Sequence, residues 1–342
     1  MVLATADDQE SRSLVQASVH LETIVFNRGG LSPTADLMAF NQLVTVYRRW
    51  QPLLVQHFHA KPVIIGSLAA KRALGKSVKV VNAITGLGHA FVAGGSTARL
   101  AGWGYAASMS RADVAIFQNR DDLQLFFQRG WVKNDQARLI ASSGVNVNRF
   151  SMVDRFGRQG KPPVVVMLGR LLRQKGIPEF TEVALRIRQR WKVARFLLAG
   201  EDEPDHPDRV PADWVAQQEG VEYLGRVADV RATLAEADLF LFPSYYREGV
   251  PRVILEAAAT GIPTVAFDVP GVREAVRDGE TGYLVPDRDV DALTEKVGAL
   301  LADDGQRLAM GQAARRMVES YFDVRAIEQR YLDVYRELGI GI

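Results

Sequence analysis

The residues best suited to chemistry lie in one stretch, Pro243-Ser-Tyr-Tyr-Arg-Glu-Gly-Val-Pro-Arg-Val-Ile-Leu-Glu-Ala. It follows the apolar run 239–242, which reads as a buried strand. Pro251 suits the first turn of a helix that Gly261 would close. Glu248 then stands just before that helix, and Glu256 lies two turns further on. Backbone N–H groups at a helix start are unpaired, so Gly249, Val250, Arg252 and Val253 could face an anion. Pro251 has no N–H to give. A carboxylate at such a place can accept hydrogen bonds from ligand hydroxyls. The plainer alternative is that Glu248 caps the helix and Glu256 is a solvated helix residue. A second stretch, Gly169-Arg-Leu-Leu-Arg-Gln-Lys-Gly176, follows the apolar run 164–168 and leads into a helical pattern at 178–191. A strand, a glycine turn, cations and a helix start suit a phosphate. Arg170 offers a planar fork and Lys175 a point charge. The spacing of a P-loop is absent.

These motifs need a scaffold that brings loops together, and the chain supplies the pattern of one. Apolar runs at 21–26, 53–57, 78–83, 114–118 and 138–140 read as strands of a first half. Runs at 164–168, 195–199, 221–224, 239–242, 264–267 and 282–285 read as strands of a second. Helical patterns at 33–50, 178–191, 230–235 and 251–260 lie between them. Continuous apolar strands alternating with helices imply parallel sheets covered on both faces. The polar stretch 148–163, with a Pro-Pro pair, reads as a linker. The sequence therefore predicts an α/β protein with two doubly wound domains facing each other across a cleft. Their expected extents are 1–150 and 151–321, and an amphipathic helix in 322–342 crosses back to the first domain. Ligands in such sheets sit beyond the carboxyl ends of the strands.

Composition bounds the function. The chain of 342 residues is 47% hydrophobic and 24% charged, as globular proteins are. It has no cysteine, which excludes disulfides, a thiol nucleophile and thiolate metal sites. The first cation, Arg12, follows Asp7, Asp8 and Glu10, unlike a secretory signal. The uncharged stretch 80–98 carries four glycines and makes a poor membrane span. Residues 1–150 hold 16 Lys+Arg against 9 Asp+Glu, whereas the remainder is acidic. A basic first half fits an anionic partner such as a phosphorylated substrate or an anionic membrane surface. The stretch 40–50, ending in Arg48, Arg49 and Trp50, is the candidate membrane face, unless Phe40, Leu43, Val44 and Tyr47 pack inward. Scattered cations without a recognition motif argue against nucleic acid. Asp287-Arg-Asp289 could be taken for a metal motif, but its place before a helical run makes an aspartate there an N-cap.

In their order and spacing, the two motifs resemble the retaining glycosyltransferases of family 4, which have the GT-B fold. Supporting pieces are Ala199-Gly-Glu201, Ala237-Asp238, the run 264–271 with Glu274, and Gly279-Glu-Thr-Gly-Tyr-Leu-Val-Pro286. Gly144-Val-Asn146 is similar to the family's Gly-Val-Asp, with Asn for Asp. The runs 247–257 and Thr85-Gly-Leu-Gly88 look most like the bacterial branch that acts on undecaprenyl-diphosphate-linked intermediates. The resemblance implies a nucleotide-sugar donor, UDP-linked, as co-substrate, with no further cofactor and no metal. It implies that Gly169, Arg170 and Lys175 clamp the diphosphate, that Glu248 contacts the transferred sugar and that Glu256 meets the ribose. Arg226 and Val227 would read the base. Thr85 or His89 would stand where many members keep a histidine near the sugar. A cytoplasmic enzyme, lying on the inner face of the cytoplasmic membrane, is implied as well. A nucleotide-sugar 2-epimerase of the same fold and a non-catalytic nucleotide-sugar-binding protein are the alternatives. Relative to the family, Met1-Val-Leu-Ala-Thr looks like the end of a second strand, so a strand and helix of roughly 30 residues are expected to be absent from the first sheet.

Overall fold

Residues 1–5, 19–26, 32–87, 95–155 and 161–341 are described in a computed structural model of the chain. Its contacts divide it into two units, Met1–Ile140 with the residues from Tyr331 onward, and Ala141–Arg330.

The second unit is built on parallel strands, of which the central ones, at 164–168, 239–242 and 264–267, are buried throughout. β7 (Val164–Leu168), β8 (Arg195–Ala199), β9 (Val221–Tyr223), β10 (Leu239–Phe242), β11 (Thr264–Phe267) and β12 (Gly282–Val285), numbered within the whole chain, form one parallel sheet in the order β12-β11-β10-β7-β8-β9. After β7 the chain winds to one side through β8 and β9. It then returns to pair β10 with β7, with Leu239 opposite Val165. The boundary between β7 and β10 is therefore the switch point of the sheet, where two loops diverge and leave a crevice. Those two loops are the ones that carry the sequence motifs. Asp238 locks the entry to this boundary, as its carboxylate accepts from the N–H of Val164 at 2.9 Å.

The first unit holds β1 (Val2–Thr5) and β2 (His20–Thr23) as a parallel pair. A separate parallel sheet has the order β3 (Leu54–Phe58), β4 (Lys79–Ile84), β5 (Val114–Phe117) and β6 (Ala137–Leu139). No ladder joins the two sheets among the described residues. One apolar cluster serves both, with Ile24 after β2, Leu43 and Tyr47 of helix Pro33–Trp50, and Val55 and Val80 of β3 and β4. Beneath it lies a buried polar network. His57 Nε2 meets the Tyr47 hydroxyl at 2.9 Å, and its Nδ1 meets Asn82 Oδ1 at 2.9 Å. Asn82 Nδ2 donates to Ser67 Oγ at 2.9 Å. An amide oxygen can only accept, so His57 carries its proton on Nδ1 and the tyrosine donates to Nε2.

Two expectations are corrected. The divide falls at Ile140 rather than 150, because Val145 pairs with Asp323 and Val147 and Phe150 are buried in the second core. The described part of stretch 148–163 is not a free linker either. Arg155 is buried and donates to the carbonyls of Ala237 at 2.8 Å and Leu234 at 3.0 Å. The last helix, Val324–Glu337, starts in the second unit and ends in the first, where Glu337 pairs with Arg138 at 2.8 Å.

Burial lowers the His57 pKa from its ordinary 6.5 to about 4. Below pH 6.5 the unfolded chain takes up a proton there that the folded chain refuses, so stability present above that pH is lost as pH falls towards 4. For so buried a group the loss amounts to about 3 kcal/mol at most. The hydrogen-exchange protection factors of β3 and β4, corrected for the intrinsic pH dependence of exchange, should fall between pH 6.5 and 4, and His57→Gln should flatten that dependence. An unchanged slope in the variant would refute it.

Candidate active site

The two motif loops meet because glycine lets them. Gly176 adopts φ +83°, and a Cβ there would lie 2.0 Å from the carbonyl oxygen of Pro243. The turn Arg173–Lys175 is thereby pressed against the start of the loop after β10. Hydrogen bonds lace the two together, from Tyr245 N to Gln174 O at 3.0 Å and from Ser244 Oγ to the same oxygen at 3.3 Å. Leu171 and Leu172 are buried and fix the loop's base. On the other side, Gly271 at φ +84° lies against the backbone of Glu248 and Gly249, where a Cβ would come within 1.6 Å of the Gly249 oxygen.

This crossing brings Lys175 and Glu248 together. The ammonium lies 2.7 Å from Glu248 Oε1, and the lysine side chain keeps only 12% of its exposure. Its charge also sits 5.1 Å from the Tyr246 ring and 6.0 Å from that of Phe242. Aromatic faces favour a cation there. Arg170, one turn earlier, points its guanidinium Nη1 at Glu203 on the loop after β8, 3.1 Å from each carboxylate oxygen. Gly169 directly follows β7, and its N–H donates to Ala199 O at 3.0 Å.

Helix Arg252–Ala259 starts at Pro251 and is closed by Gly261 at φ +78°. Its geometry leaves the first amides, those of Arg252 and Val253, outside the helical ladder. Gly249 and Val250 are buried beside them. Glu256 is mostly buried on this helix, and desolvation raises its pKa, opposed by the charges of Arg252 and Arg149. The nearer, Arg252, is 3.5 Å away. Neither glutamate is a solvated bystander. In the loop after β9, Arg226 is exposed and pairs with Glu201 at 3.4 Å, while Val227 packs on the core. Asp289 caps helix Val290–Ala302 by accepting from Ala292 N at 2.9 Å, as its place in the sequence implied.

In the first unit, Thr85 follows β4 and its hydroxyl meets Nδ1 of His59 at 2.7 Å. His59 follows the neighbouring strand β3 and is held at φ +68°. That conformation is uncommon outside glycine, and such strain concentrates at functional sites. Sequence reading missed this histidine. Its only signal is a position directly after an apolar run, in a fold that places ligands there. His89 lies outside the described residues. Glu203 was also missed, hidden in the acidic run Glu201-Asp202-Glu203.

Residues 162–303 match the family described as glycosyl transferases group 1. Over these residues the chain is similar to the group 1 glycosyltransferases. It is 29% identical to N,N'-diacetylbacillosaminyl-diphospho-undecaprenol alpha-1,3-N-acetylgalactosaminyltransferase of Campylobacter jejuni, over 96% of this chain and 88% of that enzyme. It is 32% identical to alpha-maltose-1-phosphate synthase of Mycobacterium tuberculosis over 66% of its length, but spans only 57% of that relative. Among solved structures it is similar to sucrose-phosphate synthase of Thermosynechococcus elongatus, with a TM-score of 0.78 and 21% identity over 99% of both chains. HepE of Anabaena in complex with UDP also has a TM-score of 0.78, at 20% identity over 98% of this chain and 92% of that one. These likenesses establish the expected fold, GT-B with two Rossmann-like α/β units.

Gly176→Ala should lower stability by more than about 1 kcal/mol, because the backbone is left-handed and the neighbour is a carbonyl that cannot rotate away. Urea unfolding followed by circular dichroism measures this. A midpoint equal to that of the wild type would show that the loops do not depend on this contact.

Proposed function

We propose that this glycosyltransferase moves a sugar from a UDP-linked donor to a hydroxyl of a lipid-diphosphate-linked saccharide, with retained configuration and no metal. The observation that carries this reading is the convergence of Arg170, Lys175, Glu248 and the start of helix Arg252–Ala259 at one switch point. The Campylobacter relative, whose name carries a diphospho-undecaprenol, supports the acceptor class. The HepE structure with UDP supports the donor.

The main barrier in such a transfer is departure of the nucleoside diphosphate, which gains negative charge as the glycosidic bond breaks. Arg170, Lys175 and the amides of Arg252 and Val253 are assigned to that charge, where preorganised donors act most strongly in the transition state. Two cations and a helix start leave little need for a divalent ion. The leaving phosphate then takes the proton of the incoming hydroxyl on the same face of the sugar, which gives retention. Glu248 holds the sugar and favours positive charge at its anomeric carbon. Glu256 accepts from the ribose hydroxyls, and its desolvated position suits a neutral polar partner more than a phosphate. Arg226 and Val227 are assigned to the base, and Thr85, with its partner His59, to the sugar or acceptor.

A lipid-linked acceptor places the enzyme at an anionic membrane surface. No described helix is long and apolar enough to cross a membrane. The stretch 40–50 is not the contact, because Leu43, Val44 and Tyr47 pack into the core and Trp50 Nε1 donates to Glu22 at 2.7 Å. Helix Gly95–Met109 offers a better face, with Trp103 73% exposed, Leu100 half-exposed and Arg99 beside them. An indole near arginine suits the headgroup boundary. Anionic liposomes at low salt should retain the wild type and release Trp103→Ala. Equal retention would exclude this face as the membrane contact.

With a panel of nucleotide sugars and a lipid-linked acceptor in EDTA, the wild type should release nucleoside diphosphate. Arg170→Ala and Lys175→Ala should each lower turnover by about 10²–10³. Glu256→Ala should chiefly weaken UDP binding, and Glu248→Ala should chiefly lower turnover. Turnover that requires added magnesium would overturn the metal-free step. Epimerisation of the donor, or binding without turnover, would overturn transfer itself.

A further inference from the structure

The loop after β8 carries three consecutive acids with separate fates. Asp202 is committed to structure. Its two oxygens receive Arg209 Nε at 2.6 Å and Nη2 at 2.7 Å, and Oδ2 also accepts from Ala212 N at 3.2 Å. Glu201 lends its carbonyl to Leu171 N at 3.0 Å and its carboxylate to Arg226. The loop is zipped further to the one after β7, through Arg173 N to Asp208 O at 2.9 Å and Val210 N to Leu171 O at 2.7 Å. Gly200 closes the seam, since a Cβ there would lie 1.8 Å from Gly169 O. Glu203 is thus delivered to Arg170 by backbone that is fixed on both sides, and its own carbonyl accepts from His206 N at 3.0 Å.

We propose that Glu203 is a resident counter-anion for Arg170, which competes with the donor's diphosphate and so sets donor affinity and the rate of product release. This rests on the assignment of Arg170 to the diphosphate. Glu203 acts through the arginine and is a positioning residue. It holds the guanidinium at the loop and gives it up when phosphate arrives. The arginine side chain is 43% exposed and the glutamate 32%, so solvent screens the pair and it opens at little cost. After opening, the carboxylate stays close to the phosphates and repels them. The same repulsion helps to expel the doubly charged product. Lys175 has the matching arrangement with Glu248, but that glutamate is assigned to the sugar. Glu203 has no second duty on the donor.

Isothermal titration of UDP into the wild type, Glu203→Gln, Arg170→Ala and the double variant tests this. Glu203→Gln should bind UDP about three- to tenfold more tightly at low ionic strength, with a smaller gain at high salt. In the Arg170→Ala background the same change should give a smaller gain, because only the direct repulsion of the phosphates is then relieved. Under turnover, Glu203→Gln should lower the donor KM, and kcat should fall with it where release of UDP limits the rate. Glu203→Asp should behave more nearly as the wild type. Unchanged or weaker UDP binding by Glu203→Gln, alongside normal binding by the wild type, would overturn the role of Glu203 alone. An equal gain without Arg170 would overturn it too. No UDP binding by either protein would overturn this role together with the donor assignment.

Discussion

The site depends on one close approach, the turn at Gly176 lying against the carbonyl of Pro243. Loops leaving neighbouring strands at a switch point diverge, and side chains on them do not meet by default. Here the missing Cβ lets the backbone of one loop touch the other, and Gln174 accepts from Tyr245 to hold it there. Lys175 is then carried to within 2.7 Å of Glu248 over two aromatic rings. Gly271 performs the same service on the far side of Glu248, and Gly200 on the far side of Gly169. Three glycines therefore determine where two cations and a carboxylate stand.

Charge around the site is arranged in pairs, three that span loops and one within a helix. Arg170 with Glu203, Lys175 with Glu248, Arg226 with Glu201, and Arg252 with Glu256 each join a cation to an acid. The pairs differ in depth. Lys175 and Glu256 are nearly covered, whereas Arg170, Arg226 and Arg252 remain exposed. Exposed cations can exchange an acid for a phosphate at little cost, and a covered lysine can act as fixed positive potential. An anionic ligand entering such a region redistributes existing contacts, so its affinity depends on the acids as much as on the cations.

The second unit was legible in the sequence almost to the residue. β7, β8, β10, β11 and β12 carry the predicted bounds, because each is a short apolar run with no competing helical period. Gly261 and Pro251 mark the ends of their helix for the same local reasons. The first unit was harder. Gly95–Met109 carries internal glycines at 102 and 104 that local propensity counts against a helix, yet they pack against Trp131 and Ile64. The stretch around Arg155 looks polar and loose, but a single buried guanidinium tying down distant carbonyls pins it to the second unit. Contacts between residues far apart in sequence, such as Arg170 with Glu203 or His59 with Thr85, leave no periodic trace. The motifs named the cations and the glutamates, and only the fold showed which of them touch.

Where a nucleoside diphosphate binds decides the roles of Arg170, Lys175 and Glu256. A crystal structure of the full chain with UDP should show the diphosphate within hydrogen-bond distance of Arg170 and of Lys175 Nζ, with the ribose at Glu256. A diphosphate bound elsewhere, or one in contact with neither cation, would contradict those roles.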